Sequence, residues 1–218
     1  MTMEEQDLSN YRKVYDKKEL LIEDTPENPL ELFRTWFLEV DQHFLEDETN
    51  AMTVSTLGLD GFPKSRVVLL KRYTYEGFIF YTNYNSEKGK AILANPNVCL
   101  SFFWPKAERQ IIIKGVAEKI AENMSDGYFE SRPRGSQLGA IVSHQSDVIE
   151  SREYLDAKLK DLENSFEGKE ITRPEYWGGF IVKPVELEFW QGRPNRLHDR
   201  IRYKLEENYD WKKERLSP

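Results

Sequence analysis

Several absences narrow the chemistry of this chain before any motif is considered. Its single cysteine, Cys99, rules out an internal disulfide framework and a cysteine-rich zinc site. Cys99 stands in the apolar run Val98-Cys99-Leu100, so it is expected to be a buried core thiol rather than a reactive one. Three scattered histidines without an HExxH spacing give a metal site little support. Neither a triad-like nucleophile set nor a paired-carboxylate signature emerges. No apolar run approaches the ~20 residues of a membrane helix. The polar, acidic stretch Met1 to Asn10 is unlike a secretory signal, and the cytoplasm is the expected location. Positive charge is also in short supply: 31 basic residues face 38 acidic ones, for a net charge of -7. With a pI of about 5.2 and no basic stripe, nucleic acid is not an expected partner.

What is present is the composition of a globular domain. The 218 residues are 39% hydrophobic, 32% charged and 13% aromatic, with a mean hydropathy of -0.69. The aromatic share is too large for a disordered chain. Through Glu31, nine acids stand against four bases, so -5 of the -7 charges sit at the start. Residues 1–25 have scattered apolar positions and read as a loosely held acidic arm; 26–218 read as one domain. Asn28 and Pro29 mark a helix start, with Glu31 placed to reach back to the cap. Leu30, Phe33, Phe37, Val40 and Phe44 then follow at helical spacing.

Strand texture begins at Ala51. Ala51 to Leu57, Ser65 to Tyr73, Phe78 to Thr82, Val98 to Trp104 and Arg109 to Ile120 are separated by Asp60-Gly61, Glu76-Gly77 and a short capped helix from Ser86 to Ala94. Helices are expected at Asn123 to Glu130, Gln137 to Val142 and Ser151 to Phe166, the last with Leu155, Leu159, Leu162 and Phe166 on one face. Strands at Gly179 to Glu188, Ile201 to Glu206 and Trp211 to Leu216 complete the pattern. Short connections favour antiparallel neighbours, because a parallel crossover needs a dozen or more residues. Six or seven strands with a few helices suggest one α+β domain around a closed antiparallel sheet.

Four polar clusters could carry chemistry. Arg66-Val67-Val68-Leu69-Leu70-Lys71 has four apolar residues between two cations. It fits a strand buried in the middle with ends that reach water, or two contacts to a long ligand. In a regular strand positions 66 and 71 face opposite sides, unless a bulge intervenes. Tyr81-Thr82-Asn83, with Ser86 and Lys88, fits ordinary capping beside a surface lysine or a phosphate site at a helix start. Tyr128 through Arg132, Arg134, Ser136 and Gln137 surround a Pro/Gly-stiffened turn suited to a phosphate dianion, or form a solvated basic turn. In Phe189 through Arg200, an extended backbone would project Arg196, His198 and Arg200 to one side and Leu197 and Asp199 to the other. His43 fits a surface position, and His144 has polar neighbours as plausible as ligand contacts. The clusters together suit a phosphorylated, aromatic ligand, with the chemistry supplied by something bound.

The run Leu187-Glu188-Phe189-Trp190-Gln191-Gly192 through Arg196-Leu197-His198-Asp199-Arg200 resembles the signature of the pyridoxine (pyridoxamine) 5′-phosphate oxidases. Arg66 to Lys71, Tyr81-Thr82-Asn83, Arg109-Gln110, Ser131 to Ser136 and Gln145-Ser146 follow that family's order and approximate spacing. The likeness runs from about Asn28 to Pro218. It implies an antiparallel split-barrel flavoprotein, a homodimer with FMN at the subunit interface. It also implies oxidation of pyridoxine or pyridoxamine 5′-phosphate to pyridoxal 5′-phosphate, with O₂ reduced to H₂O₂.

By the same resemblance, Arg66, Val67, Val68, Leu69, Leu70 and Lys71 would contact FMN. So would Tyr81, Thr82, Lys88, Gln110, Gln145, Ser146, Trp190 and Arg200. Lys71, Tyr128, Arg132 and Ser136 would hold the substrate, chiefly its phosphate. Arg196, Leu197 and His198 would reach the substrate from the partner subunit, with Arg196 and His198 nearest the chemistry. One departure matters: the family often has a basic pair after Ser86, and here Glu87 takes the first place. A carboxylate near a phosphate is repulsive, so Glu87 is expected to point away or to lower the local cation count. A related flavin reductase with another substrate, or a non-catalytic carrier of FMN or pyridoxal phosphate, are the rival functions.

Overall fold

A computed structural model describes residues 6–44, 46 and 48–218. The chain divides into two compact units. The larger comprises Asn50–Phe102 and Ile112–Leu187; the smaller comprises residues up to Thr49, Phe103–Ile111 and Glu188–Pro218.

In the larger unit, Ala51–Leu57 (β1) pairs antiparallel with Pro63–Leu69 (β2) across a tight turn. Gly61 adopts φ 82°, which glycine reaches without a Cβ clash, and Asp60 Oδ1 accepts the Phe62 N–H at 3.1 Å. Arg72–Thr74 (β3) pairs with Gly77–Asn83 (β4) through a second hairpin. Asn97–Trp104 (β5), Arg109–Lys119 (β6) and Trp177–Gln191 (β7), each with its greater part in this unit, complete the order β2-β1-β5-β6-β7-β4-β3. Between Leu69 and Arg72 the chain therefore passes from one end of this order to the other: the Leu70 N–H donates to Asn50 O, and the Lys71 N–H to Ile79 O. Among the described residues there are nine strands against the six or seven expected, and Ser65 to Tyr73 is two of them and not one.

That break changes the reading of the first cluster. β2 lies at the end of the order and is not a buried core strand: Val67 is 68% exposed, and only Leu70, beyond the strand, is buried. Cys99 is also not fully buried. It lies on the face of β5 opposite Val98 and Leu100 and is half-buried, with burial pushing its thiol pKa up.

Glu87–Ala94 forms α2, capped where Ser86 Oγ accepts the Gly89 N–H at 3.2 Å. Glu122–Ser131 (α3), Arg134–Val142 (α4) and Arg152–Ser165 (α5) follow. Leu159, Leu162 and Phe166 pack from α5 and its end against the buried group Phe129, Leu138, Ile171 and Trp177. Antiparallel pairing and flanking helices give the α+β class expected from the sequence.

The smaller unit contains Pro29–Glu39 (α1). Asn28 Oδ1 accepts the Leu30 N–H at 2.9 Å, and Pro29 occupies the first helical position. Leu32 and Trp36 join Leu30, Phe33 and Val40 in the buried stripe, whereas Phe37 is half-buried. Asp199–Leu205 (β8) pairs with Trp211–Leu216 (β9). The acidic arm has specific partners in this unit: the Asp16 and Lys17 N–H groups donate to the buried Glu108 carboxylate, and the Leu20 N–H donates to Asp199 Oδ2.

Candidate active site

A cavity of about 650 Å³ opens in the larger unit, lined from five directions. The exit of β2 supplies Val67, Val68, Leu69 and Lys71; the end of β4 supplies Tyr81, Thr82 and Asn83; α2 supplies Lys88. The last turn of α3 supplies Tyr128, the link to α4 supplies Arg132 and the start of α4 supplies Ser136, while Gln145 and Trp177 complete the wall.

Lys88 reaches the cavity because α2 starts hard against the end of β4. A Cβ on Gly89 would meet Tyr84 O at 2.3 Å, so only glycine allows this approach. Lys88 is 9% exposed and donates to Gln145 Oε1 at 2.6 Å and to Thr82 Oγ1 at 3.2 Å. These partners are neutral oxygens. Burial, with the Arg66 cation adding to it, brings the Lys88 pKa down to about 8.

Tyr81 and Tyr128 stack at 3.9 Å between ring centroids, and Trp177 lies parallel to Tyr81 at 5.6 Å. The Arg132 guanidinium sits 4.6 Å from the Trp177 ring centroid. Among the described residues its Nη1 is buried without a hydrogen-bond partner, an arrangement that costs free energy until an acceptor arrives. Arg134, two residues on, turns the other way and donates to Phe166 O and Lys169 O at the end of α5. The basic turn thus divides into a cavity-facing arginine and a structural one.

The fourth cluster lies in the smaller unit and is not extended throughout. Pro194–Arg196 forms a short 3-10 turn, with Asn195 at φ 58° and Arg196 at φ 62°, so strict alternation of side chains fails before β8 begins. A cavity of about 570 Å³ here is lined by Tyr11 to Tyr15, Arg193 to Arg196 and His198. The His198 ring lies 4.7 Å from Trp190 and 5.8 Å from Tyr15. The Arg193 N–H donates to His198 Nδ1 at 3.0 Å, which leaves Nε2 as the proton-bearing nitrogen of the neutral ring. Burial and the Arg196 cation both lower the His198 pKa.

The comparisons with known proteins agree with each other. Residues 39–166 match a family model described as pyridoxamine 5′-phosphate oxidase. Residues 177–218 match one described as the pyridoxine 5′-phosphate oxidase C-terminal dimerisation region. The pyridoxine/pyridoxamine 5′-phosphate oxidase of Flavobacterium psychrophilum is 69% identical over 212 residues, covering 97% of this chain and 99% of that relative. The chain belongs to this oxidase family.

It is accordingly an oxidoreductase. The like-named protein of Leptospira interrogans is 46% identical over 211 residues, 97% of this chain and 98% of the relative. Among solved structures, PhzG from Burkholderia lata, in complex with tetrahydrophenazine-1-carboxylic acid, superposes with a TM-score of 0.84 at 31% identity, covering 90% of this chain and 95% of that one. The fold is the antiparallel split barrel of this family, and the match to a dimerisation region points to a homodimer. No helix among the described residues is long and apolar enough to cross a membrane.

Within the oxidase, the structure sorts the residues singled out by sequence. Val67, Val68, Leu69, Lys71, Tyr81, Thr82, Lys88, Tyr128, Arg132, Ser136 and Gln145 share one cavity. Leu70 is buried in the core. Arg66 lies outside the lining and donates to Thr56 Oγ1 at 2.7 Å. Ser146 Oγ accepts the Glu87 N–H at 3.2 Å. Gln110, Trp190, Arg196, Leu197, His198 and Arg200 belong to the smaller unit. There Leu197 is 69% exposed, and Arg200 is paired with Glu188 at 2.7 Å. Sequence reasoning missed Trp177, although its aromatic ring is the platform for Arg132. It also missed Tyr11 to Tyr15, where two tyrosines and two cations within an acidic arm were the available signal.

Proposed function

We propose that this oxidase converts pyridoxine and pyridoxamine 5′-phosphates to pyridoxal 5′-phosphate, using FMN as cofactor and O₂ as final acceptor. The orphaned, buried Nη1 of Arg132 carries the reading: a guanidinium over an indole, facing a cavity, suits a planar ligand that ends in a phosphate. The residues also fit FMN, because Lys88 is buried among neutral oxygens and, among the described residues, no carboxylate pairs with it. When bound, FMN supplies a two-electron acceptor that the side chains of this protein lack.

Lys88, Thr82 and Gln145 hold the cofactor's phosphate end, with Arg66 and Ser146 in support. Arg132, Ser136, Tyr128 and Lys71 take the substrate phosphate and fix the register of its ring. Arg196 and His198 of the partner subunit orient the substrate and ease loss of its proton. The alcohol gives up two electrons and two protons, which O₂ takes up as H₂O₂; the amine also consumes water and releases ammonia.

The test is direct. The purified protein, given pyridoxine 5′-phosphate in air, should form aldehyde and peroxide in equal amounts and release FMN on denaturation. Bound flavin without oxygen uptake on either phosphate ester would reject the proposed reaction.

A pH dependence follows from Lys88, whose pKa of about 8 lies below the ordinary lysine value. The ammonium is present below that pH and lost above it, while a phosphate monoester stays dianionic because its second pKa is about 6. FMN affinity should therefore fall as pH rises from 8, by up to about tenfold per unit. Fluorescence titrations between pH 7 and 9.5 check this, and riboflavin, without a phosphate, should show no such slope.

A further inference from the structure

Glu87 brings a negative charge to the neighbourhood of the cations assigned to FMN. It opens α2 directly before Lys88, and its field acts on both Lys88 and Arg66. A free carboxylate there would oppose a phosphate dianion and compete for both cations. The structure shows that its carboxylate is engaged elsewhere: Glu87 Oε2 is paired with Lys64 Nζ. Lys64 stands two residues before Arg66 on β2, so both side chains leave the same face of that strand. Arg66 meanwhile donates to Thr56 Oγ1 and Val54 O, and Lys88 to neutral side-chain oxygens. Three cations thus lie near one acid, and among the described residues only Lys64 is bonded to its carboxylate.

Resting on the FMN reading above, we propose that Lys64 is a positioning residue that holds Glu87 away from the phosphate site and so keeps Arg66 and Lys88 available to the ligand. The pair is exposed on both sides and contributes little to folding stability, so its role is to place charge. Without Lys64 the carboxylate is free to turn towards Lys88 or Arg66, and the four-residue group drops from two net positive charges to one.

A double-mutant cycle on FMN affinity tests this. Apoprotein is titrated with FMN at low ionic strength, where the charge effect is largest, and flavin fluorescence is read. Lys64→Ala should weaken FMN binding by about 5- to 20-fold. Glu87→Gln should bind FMN at least as tightly as the natural protein. The double variant should return to within about twofold of Glu87→Gln, because the lysine has no task once the acid is gone. Riboflavin affinity should be the same in all four proteins. An unchanged FMN affinity in Lys64→Ala, or a double variant as weak as Lys64→Ala, would overturn the proposal. Natural protein that binds riboflavin as tightly as FMN would instead sink the phosphate assignment beneath it.

Discussion

Arg132→Ala is expected to raise KM for pyridoxine 5′-phosphate by about 30- to 100-fold while changing kcat only a few-fold. The guanidinium is held over Trp177 with a buried nitrogen that has no partner among the described residues, so in the proposed site its binding contribution is realised when a phosphate oxygen arrives. That contact lies at the non-reacting end of the substrate. It is equally strong before and during the reaction, and its loss shows as weaker binding. Arg196→Ala should give the opposite split, with kcat lower by about 100-fold and KM changed less. Steady-state kinetics on both variants would separate the roles, and the reverse pattern would exchange them.

A second large effect is expected from mixing these two chains. Arg132 lies in the larger unit and Arg196 in the smaller, and the proposed site takes one from each subunit. Homodimers of either variant have two damaged sites. A heterodimer has one site with both lesions and one with neither, because two-fold symmetry pairs each arginine with its partner's counterpart. With random exchange, half the dimers are mixed and half of their sites are intact, so activity should recover to about a quarter of the natural level. Oxygen-uptake assays after verified subunit exchange measure this. Absence of recovery would place both arginines in the same chain's site.

Much of the scaffold could be read from the residues because local chemistry decided it. Asn28-Pro29, Ser86 and Asp60-Gly61 act through caps and a turn that do not depend on distant partners. The failures came where a long-range pairing overruled the local signal. Ser65 to Tyr73 is continuous in β propensity, yet it is two strands because its first part pairs with β1 and its last with β4. Charge patterning found Arg132 but did not distinguish it from Arg134, since direction depends on which carbonyls lie near. The left-handed turn at Asn195 and Arg196 carries no glycine to announce it. The arm looked unanchored because the partners of its backbone N–H groups and its lysines, Glu108, Asp199 and Glu39 among them, lie far from it in the sequence.

The bond from Arg134 to the last carbonyls beyond α5 has an evolutionary consequence. α5 buries none of its own residues completely, so most of its outer surface tolerates substitution. Its terminus, however, receives the arginine that anchors the first turn of α4, two positions after Arg132. Drift along that helix is therefore permitted in composition but constrained in length: an inserted or deleted residue would move the carbonyls and loosen the grip on the turn that carries Arg132.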